Sequence, residues 1–260
     1  MKNIRLLLFI IVTLCFSSQK SLAAEYILYE FISVSDADKE EYLSLENFWS
    51  NIYKQQVAEK SLVHWEFWQL IPSGSKQGSQ YLRVSIFFDL SKALTYMYSP
   101  DVMESARKAY PNKSEKKLNS MIERYRTLRS INQQYLYEQI DKTKKLNFKM
   151  SIGSIAVLDF NKQLDGNYES IESEQFKPFY QKMVNEEKIG HWGLMRGILP
   201  SGSSTYSTHV AFTFYDDLHQ VADFMTNEES MSEKSKLELE KGKNVRDRKE
   251  VIIAKLIMKN

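Results

Sequence analysis

The sequence holds a single cysteine, Cys15, and it lies inside an apolar run near the start of the chain. Beyond it there is no thiol, which excludes disulfides, thiolate nucleophiles and cysteine-ligated metals from the rest of the protein. The apolar run Leu6–Phe16 is too short to span a bilayer comfortably as a permanent helix, and no other stretch could do so. Neither sign of charge is in excess, with 35 Lys and Arg against 33 Asp and Glu, and this balance argues against a nucleic-acid partner. HExxH, GxSxG, GxGxxG, P-loop, EF-hand and CxxC patterns are also missing, so zinc protease, hydrolase, dinucleotide and redox chemistries lack support.

Lys2 and Arg5 precede the apolar run, and Ser21-Leu22-Ala23-Ala24 follows with small residues fit for cleavage. This is the pattern of a secretory signal peptide over residues 1–24. Leu14 stands before Cys15 where a lipoprotein signal would need a small residue. Removal of the segment takes away Lys2, Arg5 and Lys20 and no acid, which leaves 236 residues with a formal net charge of about −1. The expectation is a periplasmic or secreted protein with no membrane span in its mature part and a core that needs no cross-links.

What the mature part does contain is a repeat. Ser61–Gly74 reads SLVHWEFWQLIPSG, and Lys188–Gly202 reads KIGHWGLMRGILPSG. A His-Trp pair, an apolar run and a Pro-Ser-Gly turn thus recur about 127 positions apart. Without gaps, Trp49, Ile52, Tyr53, Val57, Leu62, His64 and Trp65 fall on Phe176, Phe179, Tyr180, Val184, Ile189, His191 and Trp192. A period of this length is a whole small domain, so the chain divides into residues 25–145 and 150–260.

Hydrophobic periodicity predicts the same elements in each copy. In the first, Tyr26–Val34 is a strand, Asp38–Lys60 a helix, Leu62–Ile71 and Tyr81–Phe88 a hairpin, 90–129 a helical stretch broken at Pro100 and Pro111, and Gln133–Ile140 a strand. In the second, Ile155–Phe160 is a strand, Ser173–Glu187 a helix, and Ile189–Leu199 with Thr205–Tyr215 a hairpin. Leu218–Lys243 is then largely helical and Val251–Met258 is the last strand. Strand, helix, strand, strand, helix, strand is the ferredoxin-like, split βαβ order. One such sheet leaves a face bare, and two copies cover each other.

Tyr29-Glu30-Phe31, Tyr42-Leu43 and the Trp-containing second strand give the chain its likeness to known proteins. In layout nearly the whole mature chain resembles the dimeric α+β barrel superfamily, whose members include NIPSNAP-like, EthD-like, antibiotic-biosynthesis-monooxygenase and chlorite-dismutase-like proteins. The resemblance implies an α+β fold in which two tandem ferredoxin-like repeats pack sheet to sheet as a pseudo-dimeric α+β barrel. It also implies that duplication makes a monomer sufficient, with a homodimer as the other state.

Strand parity then sorts side chains between the two faces. Trp65 and Phe67 lie on one side of the first hairpin, and His64, Glu66 and Trp68 on the other. With the aliphatic faces Leu82-Val84-Ile86 and Val210-Phe212-Phe214 placed under the helices, the opposite faces line the lumen. The expected lumen therefore collects Glu30, His64, Glu66, Trp68, Tyr81 and Arg83 from one copy, and Asp159, His191, Met195, His209, Thr213 and Tyr215 from the other. The second copy has one more residue between its His and its Pro, a β-bulge in a paired strand. Absorbed at Gly193 or Gly197, that bulge would turn Arg196 into the lumen.

Such a lumen is the form of a small-molecule site. One reading is a binding module for a small, partly apolar ligand. A second, implied by the resemblance, is a cofactor-light oxygenase or isomerase in which His64 or His191 moves a proton and Arg83 or Arg196 holds an anionic oxygen. A third is a haem-associated protein with His64, His191 or His209 as axial ligand. Against all three stands the plain alternative that the paired histidines are buried rings bonded to the backbone, since a fold constraint survives duplication as well as a ligand constraint does. No metal site is expected.

Overall fold

The structure is a computed structural model and describes residues 25–72, 78–98, 102–144, 148–226 and 244–260. The signal-peptide segment, the tip of the first Pro-Ser-Gly turn and the predicted helix beyond 226 lie outside the described residues. The first copy runs β1 (Tyr26–Val34), α1 (Lys39–Ala58), β2 (His64–Ile71), β3 (Tyr81–Phe87), α2 (Leu90–Tyr98), α3 (Met103–Ala109), α4 (Glu115–Thr127) and β4 (Arg129–Lys142). The second runs β5 (Ile155–Gln163), α5 (Tyr168–Ile171), a π-helical turn (Glu172–Phe176), α6 (Lys177–Asn185), β6 (His191–Leu199), β7 (His209–Tyr215), α7 (Leu218–Thr226) and β8 (Arg246–Lys259). No described helix is long and apolar enough to cross a membrane.

All eight strands close into one barrel in the order β1-β3-β2-β8-β5-β7-β6-β4, and each ladder is antiparallel. Within each copy the order is that of the split βαβ unit. Between copies, β2 pairs with β8 and β4 with β6, so each copy's last strand joins the other copy's hairpin. The architecture is the pseudo-dimeric α+β barrel expected from the sequence. In a closed antiparallel ring, alternate strands run the same way. β2 and β6 sit four places apart and therefore start at the same mouth. The approximate twofold axis between the copies runs along the barrel, with both His-Trp pairs at one end and both prolines, Pro72 and Pro200, at the other.

The faces of β2 are as the sequence predicts, but those of β3 and β7 are the reverse. Ladder partners share a face, and Trp65 pairs with Ser85 and Phe67 with Arg83. If Trp65 and Phe67 lie under the helices, Arg83 and Ser85 must lie there too. The lumen is accordingly the apolar side, filled by Tyr29, Phe31, Trp68, Leu82, Val84, Leu158, Met195, Val210, Phe212 and Leu256. An eight-stranded barrel has an interior just wide enough to be filled by side chains. The polar residues go instead beneath the helices, where helical side chains satisfy them.

Arg83 shows how. Its Nε and Nη2 each approach Glu30 Oε2 at 2.6 Å, and Nη1 donates to the hydroxyls of Tyr53 at 2.9 Å and Tyr125 at 2.8 Å. Gln134 donates to the other Glu30 oxygen at 2.9 Å. The hydroxyls of Tyr42 and Tyr125 both donate to Glu46 Oε1, and burial pushes the Glu46 carboxyl up from its ordinary value. In Glu30 burial pushes the carboxyl up, but Arg83, Arg129 and Gln134 together hold it below its ordinary value.

Two irregularities separate the copies. Tyr42 and Trp49 of α1 are seven positions apart, whereas their buried counterparts Tyr168 and Phe176 are eight apart, and the π-helical turn absorbs the additional residue. In β6 the pairing with β7 is regular from His191 to Arg196, while against β4 Tyr137 pairs with Gly197 and Leu136 with Leu199. The extra residue is thus Ile198, beyond Arg196. The parity of Arg196 is unchanged by it.

Candidate functional site

The mouth that receives both His-Trp pairs opens into a cavity of about 1140 Å³. Its walls come from the starts of β1, β2 and β6 and the ends of β3, β4 and β7, as the strand directions require. Tyr29, His64, Glu66, Ile86, His191, Met195, Phe212 and Phe214 form the inner wall. The space continues over the end of β4 to Ser173 on the π-helical turn and to Lys177, Pro178 and Gln181 on α6. Trp68 lies deeper, stacked on Phe214 at 5.8 Å and 6°.

Two histidines face each other across this space, His191 in a hydrogen bond and His64 in an ion-pair contact. In the first copy His64 Nε2 lies 3.2 Å from Glu66 Oε1, and Trp68 Nε1 donates to Glu66 Oε2 at 2.8 Å. His64, Glu66 and Trp68 alternate along β2, so all three point inward. Burial, with the charge of Glu66 and the neighbouring Tyr137, holds the Tyr29 hydroxyl protonated far above the usual phenol range. In the second copy His191 Nδ1 is 2.9 Å from the hydroxyl of Thr143, which also accepts from the Trp192 amide at 3.0 Å. His191 stacks on Phe214 at 6.3 Å and 24°.

The copies diverge one step further in. Position 66 of the first corresponds to Gly193 in the second, and Val84 to Phe212, by the matching ladders. A Cβ on Gly193 would stand 2.3 Å from Phe212 Cζ. The Phe212 ring therefore fills the place where the first copy carries its carboxylate. At the rim, Lys142 pairs with Glu25 at 3.2 Å, and Lys177 with Asp141.

Of the residues expected in the lumen, the structure brings His64, Glu66, Trp68, His191 and Met195 together there. Glu30, Tyr81 and Arg83 lie instead under α1 and α4, and Asp159, His209, Thr213 and Tyr215 lie on the corresponding outer face of the second copy, because the β3 and β7 faces are inverted. Arg196 also stays outside, bonded to Glu138 at 3.0 Å and to Glu169 at 3.3 Å. Tyr29, Phe212 and Phe214 enter the site in their place. The alternation that predicts them was visible in the sequence, but the choice of inner face needed the ladder. Thr143 and Lys177 come from a linker and a helix whose approach to the mouth no local pattern foretells.

The donor set bears on cofactors. Among the described residues no three His, Cys, Asp or Glu side chains are grouped to hold a metal ion. His209 has Nε2 at 3.0 Å from Glu169 and Nδ1 at 2.9 Å from Thr208, and burial pushes its imidazole down, so it offers no nitrogen to a haem iron. Of the three candidate axial ligands, only His64 and His191 border the cavity. Of the three lysines that line the cavity, Lys142 and Lys177 are engaged with Glu25 and Asp141, and the third is Lys144.

No protein-family model and no curated protein matches the sequence. Solved structures do match in fold. A proposed monooxygenase from Fusobacterium nucleatum is 12% identical with a TM-score of 0.59, covering 92% of this chain and 94% of that one. An anthrone oxidase-like protein is 8% identical with a TM-score of 0.54, over 92% and 93% of the two chains. A haem-binding protein from Thermus thermophilus is 8% identical with a TM-score of 0.52, over 90% and 92%. What they share with this chain is the dimeric α+β barrel fold.

Proposed function

We propose that this chain is an exported binding protein whose barrel mouth receives one small, partly apolar molecule. The observation that carries the reading is convergence: two histidines 127 positions apart come to line one cavity, beside Phe212, Phe214 and Tyr29. Aromatic walls with a few polar groups at one end suit a ligand with an apolar body and a hydrogen-bonding edge. The fold neighbours, among them proteins described as a monooxygenase and as haem-binding, support a ligand-handling barrel in general terms.

The test is a metabolite screen read by thermal shift, because a ligand of the native state alone raises its apparent stability. At a ligand concentration of 100 Kd the gain should be about 2.7 kcal/mol. Ile86→Trp, at the mouth opposite His64, should remove the shift while the protein still melts cooperatively. A Soret band in protein from a haem-replete host, lost in His191→Ala, would replace this reading with a haem protein. Export is tested by the intact mass of protein from the native host, which should begin at Glu25.

A further inference from the structure

We propose that the opposite mouth of the barrel, where both prolines lie, is a second binding site and takes a small organic cation of the quaternary ammonium class. The site is independent of the reading given for the histidine mouth. A cavity of about 470 Å³ opens there, between the ends of β1, β2 and β5 and the starts of β4 and β8. Phe31, Tyr135, Phe160 and Tyr206 supply its aromatic wall, and Glu250 supplies a charge. Phe31 meets Tyr135 at 6.1 Å and 87° and Phe160 at 6.1 Å and 57°, so these rings stand at angles to one another instead of stacking. Rings set this way form the walls of a cage, and the negative faces of such rings attract a cation. A quaternary ammonium has no N–H to satisfy, which suits a wall built mainly of rings and aliphatic side chains.

Strand parity puts the carboxylate on the same face as the rings. Glu250 pairs with Phe160 and Ile252 with Leu158 in the β5–β8 ladder, and Phe160 and Leu158 belong to the lumen. Among the described residues of this lining Glu250 is the one charged side chain, with no lysine, arginine or histidine beside it. Its carboxylate makes no hydrogen bond or ion pair among the described residues, and the adjacent Lys249 is taken by Asp247. The histidine mouth differs, with Lys142, Lys144 and Lys177 in its wall. Burial, with Tyr206 and Glu250, raises the Tyr135 hydroxyl above its ordinary value, and burial with the charge of Glu250 does the same to Tyr206 against Lys249. One carboxylate thus bears on two rings of the cage. The first copy has a neutral amide at the related position, because Phe31 pairs with Gln133 where Phe160 pairs with Glu250. The mouth therefore matches a single positive charge, and one carboxylate among rings is too few donors for a metal ion.

The probes are choline and its dimethylbutanol isostere, which has the same shape with an uncharged carbon in place of the nitrogen. Binding of each to the full chain is measured by ligand-observed NMR titration. An exposed carboxylate alone adds little and a ring face somewhat more, so together they should make choline bind about tenfold more tightly than the isostere. Glu250→Gln, which copies the first copy's amide, and Tyr206→Leu should each cut that preference to about threefold. The double variant should bind both probes alike. Both side chains are exposed, so the variants should keep the native melting temperature. Ile86→Trp, which fills the histidine mouth, should leave the preference intact. Equal affinity of the two probes for the native protein, no binding of either, or a preference that survives the double variant would overturn the assignment. A preference lost in Ile86→Trp would place the cation in the histidine mouth and overturn it as well.

Discussion

Arg83 and His209 occupy neighbouring levels on the outer faces of the two copies, and each is held by partners from the helices. The Arg83–Glu30 pair has both side chains 4% exposed, so loss of one member strands a buried charge. Arg83→Met should therefore cost about 3–5 kcal/mol, measured by urea unfolding, and adding Glu30→Met should recover much of it. His209 carries a folded-state imidazole pushed down by burial, with the Glu169 carboxylate opposing. A depressed value means that the native form holds its proton less readily than the unfolded chain. The associated stability is present above the ordinary value of 6.5 and is lost as pH falls through the lower folded value. His209→Gln should flatten the stability–pH curve on that acid side, and a curve parallel to the native one would refute it. Neither role was legible in the sequence. The polar pattern at 81, 83 and 209 reads as a lumen when a helix-facing surface is assumed to be aliphatic, and only Tyr53, Tyr125 and Glu169, brought in from distant segments, make the outer face a polar one.

The elements themselves were far more legible than their orientation. β1 has the predicted limits, and the breaks near Pro100 and Pro111 divide the long helical stretch into α2, α3 and α4 as expected. β4 and β8 run longer than their apolar cores suggest, because the polar start of β4 pairs with the end of β1 and the polar start of β8 with the end of β5, partners that an apolar run alone does not reveal. The π-helical turn was also invisible: the ungapped match from Trp49 onward hides an extra residue that falls before Phe176. Deletion of Ser173 should let α5 and α6 join as one regular α-helix while drawing a wall residue away from the cavity. The expected result is a folded protein of near-native melting temperature with weakened ligand stabilisation. A collapse in stability instead would mean that the turn holds the helix layer and not the cavity wall.

At the scale of the whole molecule, the two copies share a single closed sheet. Each copy keeps a buried cluster beneath its own helices, but the lumen cluster is shared and each depends on the other's last strand through β2–β8 and β4–β6. Calorimetry should show one cooperative transition, with calorimetric and van't Hoff enthalpies in agreement. Two resolved transitions would argue that the joining ladders are weak. The axis that relates the copies passes straight down the mouth, and this has a consequence for recognition. In a barrel made from two identical chains, whatever stands on one wall must stand on the other, and a guest finds two equivalent ways to lie. Fusion into one chain lifts that obligation. With Glu66 on one side and the Phe212 ring over Gly193 on the other, the mouth has a distinguishable left and right, and a guest can be held facing a single way.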